Sequence, residues 1–267
     1  MRNGNLKCFS RLISSYSTFH GIQRQPASLL KKYKIASEVS NLSHPWKERK
    51  MDNCIHISFM QRNLLVLVSG WGAIIHPKRA DFVANTNELL DGVSLKFLLF
   101  KMKAHPRGRE LLRKRPRISQ GTLDDAWLCE EHTFGEAYAQ FMGTRSFSPR
   151  ERPAIRFFVS SDLAYLALRM RESHDFWHVL FGCSTSVTSE LHLKLIEFRY
   201  SNMPSAGLSY FLAPIRLGLH DRRSFYNLFF TRTHFPIDKD ELIFSILEER
   251  LSVPLNSLRR ELLFKVQ

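Results

Sequence analysis

Cysteine is scarce in this sequence, and its few copies are scattered along the chain. The four positions are Cys8, Cys54, Cys129 and Cys183. No CxxC pair or other paired spacing occurs, so neither a disulfide framework nor a thiolate zinc site is supported. This usage fits a reducing compartment best.

Long apolar runs are also absent. The longest, LLVLVSGWGAII at 64–75, is interrupted by one serine and two glycines. It is well short of the roughly 20 residues that a helix needs to span a bilayer, so the sequence predicts no transmembrane helix. Hydrophobic residues still make up 44% of the 267, with 21 phenylalanines. That is enough to fill the core of one large domain or two small ones.

Acidic residues are missing from positions 1–37, which carry seven Lys or Arg and several serines. This composition is typical of a mitochondrial transit peptide, and a basic disordered tail is the alternative. Residues 38–54 are predicted to form a linker into a single helical domain over 55–267. The net charge is +14, but residues 1–50 hold ten basic against two acidic residues. The rest is only mildly basic, which weakens any nucleic-acid interpretation based on charge alone.

One basic run, KMKAHPRGRELLRKRPR at 101–117, holds eight basic residues and one acid. No aromatic residues interleave it for base stacking. We therefore predict a solvated or membrane-facing surface and no nucleic-acid partner. Acids that follow it could neutralise its charge, namely Asp124, Asp125, Glu130 and Glu131.

From about residue 55 onward, apolar residues recur at three- and four-residue spacing with almost no strand-like alternation. The sequence therefore predicts a mainly α fold. Helices are expected at 55–75, 79–89, 93–103, 107–114, 134–142, 161–181, 187–200, 221–231 and 239–250.

The clearest of these helices carries the motif HDFWH at 174–178. Ser160 or the next serine can cap a helix that runs to Gly182, a natural C-terminal stop. At about 100° per residue, His174 and His178 lie about 40° apart around the axis, and Asp175 lies within about 100° of both. All three side chains can therefore converge on one point beside the helix.

The next segment, CSTSVTSELHLKLIEFRY, can begin a second helix, with Ser186 or the residue before it as the cap. A loop centred near Ser184 would fold this helix back on the first one. His178 and Glu190 each lie six residues from that centre, and equal distances from a turn give equal height in an antiparallel pair. The sequence therefore predicts an antiparallel helix hairpin that brings Glu190 to the histidines.

Two imidazoles and two carboxylates are suitable ligands for Zn²⁺ or another divalent ion, with water or substrate completing an open coordination sphere. The alternative is a set of ordinary surface or core histidines beside a solvated acid. Proteolysis is disfavoured, because Asp175 is one methylene shorter than the glutamate of the HExxH motif. A histidine-aspartate phosphohydrolase would need another histidine upstream, and the candidates His105 and His132 carry no supporting signal.

HDxxH followed by eleven residues and Glu resembles the zinc motif of the Coq4 family of ubiquinone (coenzyme Q) biosynthesis. The similarity continues in HPKRADFVA, GRELLRKRPRIS and HTFGEAYAQFM upstream and in LEERLSVPLNSLRREL downstream, and it covers about residues 55–264. Two segments depart from the family. SFSPRERPAIRFFVSSDLAYL has serines where the family tends to carry acids, and 201–235 matches loosely. These departures bear on substrate fit and outer-surface contacts more than on the metal motif.

The resemblance implies a mostly helical protein bound peripherally to the matrix face of the inner mitochondrial membrane. It implies His174, Asp175, His178 and Glu190 as metal ligands, with Zn²⁺ or another divalent ion as the cofactor. The implied activity is metal-dependent, oxidative decarboxylation at ring C1 of 4-hydroxy-3-methoxy-5-polyprenylbenzoate. The resemblance also implies that the protein organises the complex of ubiquinone-synthesising enzymes. The implied partners are the other enzymes of this multi-subunit complex, polyprenylated aromatic intermediates and the inner-membrane lipid surface.

The implied chemistry is plausible, because a metal can stabilise the ionised 4-hydroxyl, which pushes electron density to C1. Electrophilic attack at C1, by a proton or by oxygen, then makes loss of the carboxylate easy. The sequence shows no proton-transfer residue, and His192 is an unsupported candidate. Two further classes of function are open. One is a lipid-binding scaffold of the biosynthetic complex with a structural metal, and the other is a metal-dependent phosphohydrolase.

Two apolar segments, AGLSYFLAPIRLGL at 206–219 and SFYNLFF at 224–230, suggest a lipid channel or a membrane-dipping helix. Plain core packing is the alternative for any single residue in them. Arg216, Arg222 and Arg223 beside these segments are expected to contact anionic head groups.

Overall fold

The computed structural model describes residues 54–76, 79–212, 214, 218, 222 and 239–263. Within these ranges the chain forms eleven α-helices and no strand, which confirms the predicted mainly α fold. The helices are α1 (Phe59–Ile75), α2 (Ala80–Leu90), α3 (Gly92–Ala104), α4 (Pro106–Lys114), α5 (Gln120–Trp127), α6 (Phe134–Gly143), α7 (Ser161–Phe181), α8 (Val187–Ser201), α9 (Pro204–Leu212), α10 (Lys239–Phe244) and α11 (Leu255–Leu263). Two 3₁₀-helices, Pro149–Glu151 and Leu247–Arg250, complete the described elements.

Helix α7 is the longest of these helices, and most of its side chains are buried. It follows the N-cap Ser160, has Asp162 in its first turn, and ends at Gly182, whose φ of 67° is left-handed. That conformation favours glycine and closes the helix. The predicted bounds 161–181 are therefore confirmed. Because α7 is buried around most of its circumference, its polar side chains need partners inside the protein.

The buried charges of α7 are paired with residues from the surrounding segments. Arg169 makes a two-pronged ion pair with Glu248, at 2.5 and 2.7 Å. Glu172 accepts from Arg117 at 2.8 Å and from the backbone N–H of Ile118 at 3.0 Å. These pairs connect α7 to the segment before α5 and to the second 3₁₀-helix. A buried charge that lost its partner would be strongly destabilising.

The basic run at 101–117 is neutralised mainly by acids that are distant in sequence. Asp162 pairs with Lys103 at 3.3 Å and with Arg115. The other ion pairs of the run to distant acids are Lys101–Asp240, Arg107–Glu241, Lys114–Glu249 and Arg117–Glu172. None of the described ion pairs uses the acids at 124, 125, 130 and 131. That part of the sequence interpretation was wrong, because through-space neighbours cannot be read from chain order.

Three short helices, α5, α9 and α11, were missed by the periodicity argument, and 239–250 is divided between α10 and the second 3₁₀-helix. Each missed helix has eight or nine residues, which is too short for an isolated helix to be stable in water. Packing against the rest of the protein therefore decides these segments. The predicted helix at 221–231 lies outside the described residues, apart from residue 222.

The predicted transit peptide and linker also lie outside the described residues, apart from Cys54. The apolar segment 206–219 is described mainly as part of α9, where Leu208 and Phe211 are each 40% exposed. The segment 224–230, Arg216 and Arg223 lie outside the described residues, whereas Arg222 donates to the carbonyl of Pro214. In the part of the chain that the structure describes, every helix is too short or too polar to cross a bilayer.

Candidate metal centre

The two motif histidines lie one turn apart near the C-terminal end of α7, and their rings point to a common place. The Nε2 atoms of His174 and His178 are 3.1 Å apart. His178 is buried, with a 3% exposed side chain, whereas His174 is 19% exposed. The closeness of the two rings follows from their four-residue spacing, which puts both side chains on the same face of the helix.

Glu190 reaches the histidines from the first turn of α8. The loop Gly182–Ser186 joins the two helices, and the Ser186 hydroxyl caps α8 by accepting from the N–H of Ser189. The carboxylate oxygens of Glu190 lie 3.1 Å from Nε2 of His174 and 3.1 Å from Nε2 of His178. Across the described residues, these three side chains form the single group of histidine, cysteine or acidic residues suited to holding a metal ion. Whether α7 and α8 pack as an antiparallel hairpin along their length stays a prediction.

The other ring nitrogen of each histidine already has an acceptor. Nδ1 of His174 lies 2.6 Å from a carboxylate oxygen of Glu197, and Nδ1 of His178 lies 3.1 Å from the carbonyl of Cys183. Each Nδ1 therefore carries its hydrogen, and in the neutral form of either ring Nε2 presents its lone pair. A carboxylate or carbonyl behind the ring is the usual arrangement for a metal-bound histidine.

With both rings neutral, three electron-pair donors face one another. Two Nε2 lone pairs and the Glu190 carboxylate would repel each other unless a proton or a cation lay between them. A divalent ion satisfies all three at once, and two imidazoles with a carboxylate form a donor set that zinc enzymes use. The residues present therefore fit a bound metal ion.

The electrostatics of the site agree with this geometry. Burial and Lys194 act to lower the pKa of His174, but Glu197 and Glu190 outweigh them and raise it to about 9. Burial acts to raise the pKa of Glu190, but its hydrogen bonds to His174 and His178 hold it far below the usual range. The site thus stabilises positive charge at His174, carried by a ring proton in the absence of a metal ion, and negative charge at Glu190. A bound divalent ion would displace that proton and carry the positive charge in its place.

Glu197 and Lys194 support the centre from α8. The Lys194 ammonium donates to Glu197 at 2.7 Å. Burial acts to raise the pKa of Glu197, but Lys194 and His174 lower it to about 2, so this carboxylate is ionised. Sequence reasoning missed both residues, although the signal was present: Glu190, Lys194 and Glu197 have spacing i, i+4, i+7 and lie on one face of a helix.

Asp175, the fourth ligand expected from the sequence, is placed elsewhere. Its carboxylate accepts from Arg152 at 2.6 Å, and Arg152 also reaches the Ile118 carbonyl and the Tyr138 hydroxyl. Burial raises the pKa of Tyr138 to about 12, so its hydroxyl keeps its proton. Helical periodicity placed Asp175 at the edge of the face that carries the ligands. It could not predict that Arg152, which is distant in sequence, donates to the Asp175 carboxylate.

The remaining histidine candidates lie outside the group. His105 packs against the ring of Phe244, with 5.2 Å between ring centroids. Neither His132 nor His192 belongs to the three-residue group among the described side chains. The upstream histidine that a phosphohydrolase would need is therefore absent from this described centre.

A groove of about 370 Å³ opens beside His178. The ring of Phe141 stacks on His178 with centroids 4.9 Å apart, and the Arg145 guanidinium lies 4.3 Å from the Phe141 centroid. Phe141 and Arg145 both line the groove, together with Cys183. The stack fixes the plane of the His178 ring and places a cation where an anionic group could dock.

The last turn of α7 is held by an arginine from α11. Arg259 donates to the carbonyls of Leu180 at 2.9 Å and Val179 at 2.8 Å. These carbonyls belong to the last turn of the helix, where no further turn follows. The Val179 carbonyl also accepts from the N–H of Gly182. The turn that carries His178 is therefore closed from outside by α11.

The described part of the chain is thus a helical domain whose longest helix supports a candidate metal centre. The family model for "Coenzyme Q (ubiquinone) biosynthesis protein Coq4" matches residues 51–267. The chain belongs to this family.

Curated relatives of similar length agree with this assignment. The "Ubiquinone biosynthesis protein COQ4, mitochondrial" of Meyerozyma guilliermondii is 30% identical over 237 residues, covering 86% of this chain and 76% of the relative. The protein of the same name from Coccidioides immitis is 31% identical over 240 residues, covering 85% and 81%. A crystal structure of a Nostoc punctiforme protein resembles the chain with a TM-score of 0.59 at 21% identity, covering 76% of this chain and 99% of that one. That likeness concerns the fold.

Proposed function

We propose that this chain acts in mitochondrial ubiquinone biosynthesis as a metal-dependent enzyme that removes the ring carboxyl of 4-hydroxy-3-methoxy-5-polyprenylbenzoate. The pathway assignment is supported by the family and by relatives named ubiquinone biosynthesis proteins. The metal dependence is supported by the convergence of His174, His178 and Glu190 within 3.1 Å contacts. That convergence is the observation that carries the proposal, because it offers one divalent ion two imidazole nitrogens and a carboxylate at a single point.

His174, His178 and Glu190 would hold the ion, and Zn²⁺ suits this donor set. Asp175 is left out of the proposed ligand set, since its carboxylate accepts from Arg152. A bound divalent ion would supply Lewis acidity, stabilising an ionised ring hydroxyl. The side chain of Glu190 is 36% exposed, so the centre opens to solvent on the α8 side, where a substrate oxygen could approach.

The residues of the chain would orient the ligands and bind the substrate's charge. Glu197 and the Cys183 carbonyl fix the two imidazole tautomers, and Phe141 fixes one ring plane. Arg145, at the groove beside His178, would bind the ring carboxylate until the C1–carboxyl bond breaks. A proton, or dioxygen as the two-electron oxidant, would add at the electron-rich C1, and the carboxyl would then leave as CO2 while the electrons of its bond to C1 return to the ring.

We further propose that the chain works at the inner-membrane surface, on the matrix side, within a complex of ubiquinone-biosynthesis enzymes. The names of the relatives include the word mitochondrial, and the described helices include none able to span a bilayer. A polyprenylated substrate is itself a lipid, so an enzyme that acts on its ring must reach the membrane surface.

The test is the metal content of the purified full chain, measured by mass spectrometry. We expect about one divalent ion per chain in the wild type and strong loss of it in Glu190→Gln. The matched control is Glu130→Gln, which changes an exposed glutamate outside the centre. Equal metal content in wild type and Glu190→Gln would contradict the proposal.

A second measurement separates catalysis from scaffolding. In cells that depend on this chain, we expect Glu190→Gln to accumulate the carboxylated ring intermediate while the biosynthetic complex still assembles. Loss of complex assembly together with loss of folding would instead support a scaffold whose metal is structural. Release of phosphate from generic phosphoesters by the wild type would favour the phosphohydrolase alternative.

A further inference from the structure

Helix α1 presents a continuous apolar face to solvent. Six side chains lie within an arc of about 100° around its axis and are each between 50% and 75% exposed. Over about four turns, roughly 22 Å, this arc contains no polar or charged side chain. Its members are Met60, Leu64, Leu67, Val68, Trp71 and Ile75.

The opposite side of α1 is the one that packs on the protein. Ser69 and Gly72 are buried, and the ring of Phe82 in α2 lies against Gly72. The one charged residue of α1, Arg62, points away from the arc and donates to the Leu89 carbonyl at 3.1 Å. The apolar arc is thus not the core face of this helix.

Helix α3 has an exposed face of a different composition. Val93, Phe97 and Phe100 are 79%, 53% and 47% exposed and have the spacing i, i+4, i+7. By helical geometry, Lys96 lies on one flank of this stripe and Lys101 on the other. Neither α1 nor α3 contains an acidic residue. An apolar stripe with lysines on both flanks is the pattern of a helix lying on an anionic membrane, since the lysine heads can reach the phosphates.

The start of α3 lies beside α1. A β-carbon at Gly92, the first residue of α3, would lie 3.8 Å from the Arg62 guanidinium of α1. Because Val93 follows Gly92, the lysine-flanked stripe of α3 begins near α1.

We propose that α1, together with the exposed stripe of α3, is the surface by which this protein docks on an anionic phospholipid bilayer. The arc of α1 would lie among the acyl chains near the head groups, and Lys96 would meet the phosphates. Lys101 would join it by exchanging its 4.0 Å contact with Asp240 for a phosphate. Charge complementarity favours this occupant over a second copy of the chain, because two copies would bring the same lysines together. The proposal is compatible with the proposed function, whose substrate carries a lipid tail, but it stands on the exposed side chains of α1 and α3.

The first experiment is co-sedimentation of the full chain with vesicles of phosphatidylcholine, with and without cardiolipin. We expect Leu67→Glu to weaken binding to the mixed vesicles about tenfold or more, because a leucine that would enter the acyl chains is replaced by a charge. Leu128→Glu is the matched control. It changes an 85% exposed leucine away from this surface, and we expect no change in binding.

A variant that binds vesicles more tightly than the wild type cannot owe that change to misfolding. Asn63 is exposed at the edge of the arc, and we expect Asn63→Leu to widen the arc and tighten binding to both kinds of vesicle. We expect Lys96→Glu to weaken binding about fivefold to cardiolipin-containing vesicles and to leave binding to pure phosphatidylcholine unchanged.

Two results would overturn the proposal. One is vesicle binding that Leu67→Glu leaves undiminished. The other is a dimer, measured by light scattering, that Leu67→Glu dissociates while vesicle binding is retained. Glu190→Gln should bind vesicles as the wild type does, so failure of the metal centre and failure of this surface give different results.

Discussion

Each histidine of the centre has one ring nitrogen occupied by an acceptor from the protein and one turned toward Glu190. The acceptor at each Nδ1 leaves Nε2 as the nitrogen that could bind a metal ion. These acceptors belong to residues that would not contact the ion themselves. For His174 the acceptor is Glu197, which is held in turn by Lys194. At the residue scale, the centre therefore consists of three proposed ligands and the groups that orient them.

Glu197→Gln tests that dependence. The amide is nearly isosteric but uncharged, so the His174 ring loses a charged acceptor and part of its preference for one tautomer. We expect metal affinity to fall about tenfold to a hundredfold, measured by competition with a chromophoric chelator. Lys194→Met should act in the same direction, whereas Lys194→Arg should retain most of the affinity. An unchanged affinity in Glu197→Gln would show that the Nδ1 contact does not matter.

Asp175→Asn tests whether the sequence motif or the geometry gives the right ligand set. Because Asp175 pairs with the buried Arg152, we expect the unfolding free energy to fall by about 3 kcal/mol, with the metal content per folded chain unchanged. Chemical denaturation and metal analysis of the same sample measure both quantities. Loss of metal without loss of stability would show instead that Asp175 is a metal ligand.

At the element scale, the sequence predicts best where capping and periodicity act together. Helix α7 has a serine at its N-cap position, a first-turn acid and a terminal glycine, and its bounds were predicted correctly, although the hydroxyl of Ser160 makes no capping hydrogen bond. The histidine spacing on that helix also gave the relation between His174 and His178. Helices α5, α9 and α11 could not be predicted, since short helices depend on tertiary contacts. The Asp175–Arg152 pair was invisible for the same reason, because it joins an edge position to a distant loop.

The packing of α1 on α2 gives a matched pair of glycine substitutions. A β-carbon at Gly72 would lie 2.8 Å from the Phe82 ring, whereas a β-carbon at Gly70 would have nothing within 4 Å. We expect Gly72→Ala to lower the unfolding free energy by about 1–3 kcal/mol through overpacking. Gly70→Ala should raise it by about 0.5–1 kcal/mol, because alanine favours the helix. Thermal unfolding of the two variants beside the wild type checks both signs.

The junction between α2 and α3 should be sensitive to pH. Burial raises the pKa of Asp91 from 3.8 to about 6, even though Ser205 donates to both of its oxygens and acts to lower it. Between these two values the folded chain retains a proton that the unfolded chain has lost, so the unfolding free energy falls as pH rises from about 4 to 6. In Asp91→Asn this contribution should disappear, and stability at pH 7 should exceed that of the wild type by at most about 3 kcal/mol. Denaturation at several pH values measures the slope, and an equally steep slope in the variant would contradict the assignment.

At the scale of the whole molecule, a bound ion should stabilise the fold, since it would bind the folded chain and not the dispersed ligands. Free Zn²⁺ at about a hundred times its dissociation constant should add about 2.7 kcal/mol of stability. We expect Zn²⁺ to raise the melting temperature of the wild type and a chelator to reverse the rise. Glu190→Gln should show no comparable shift, and Glu130→Gln should behave as the wild type.

Helix α11 is distant in sequence from the HDxxH motif, but through Arg259 it supports the end of the helix that carries the motif. It closes the last turn of α7 through the carbonyls of Val179 and Leu180, immediately after His178. A premature stop codon before α11 would leave the HDxxH motif and Glu190 intact in the translated chain. It would nevertheless release the turn that positions His178, so a late truncation should behave genetically like a lesion in the motif itself.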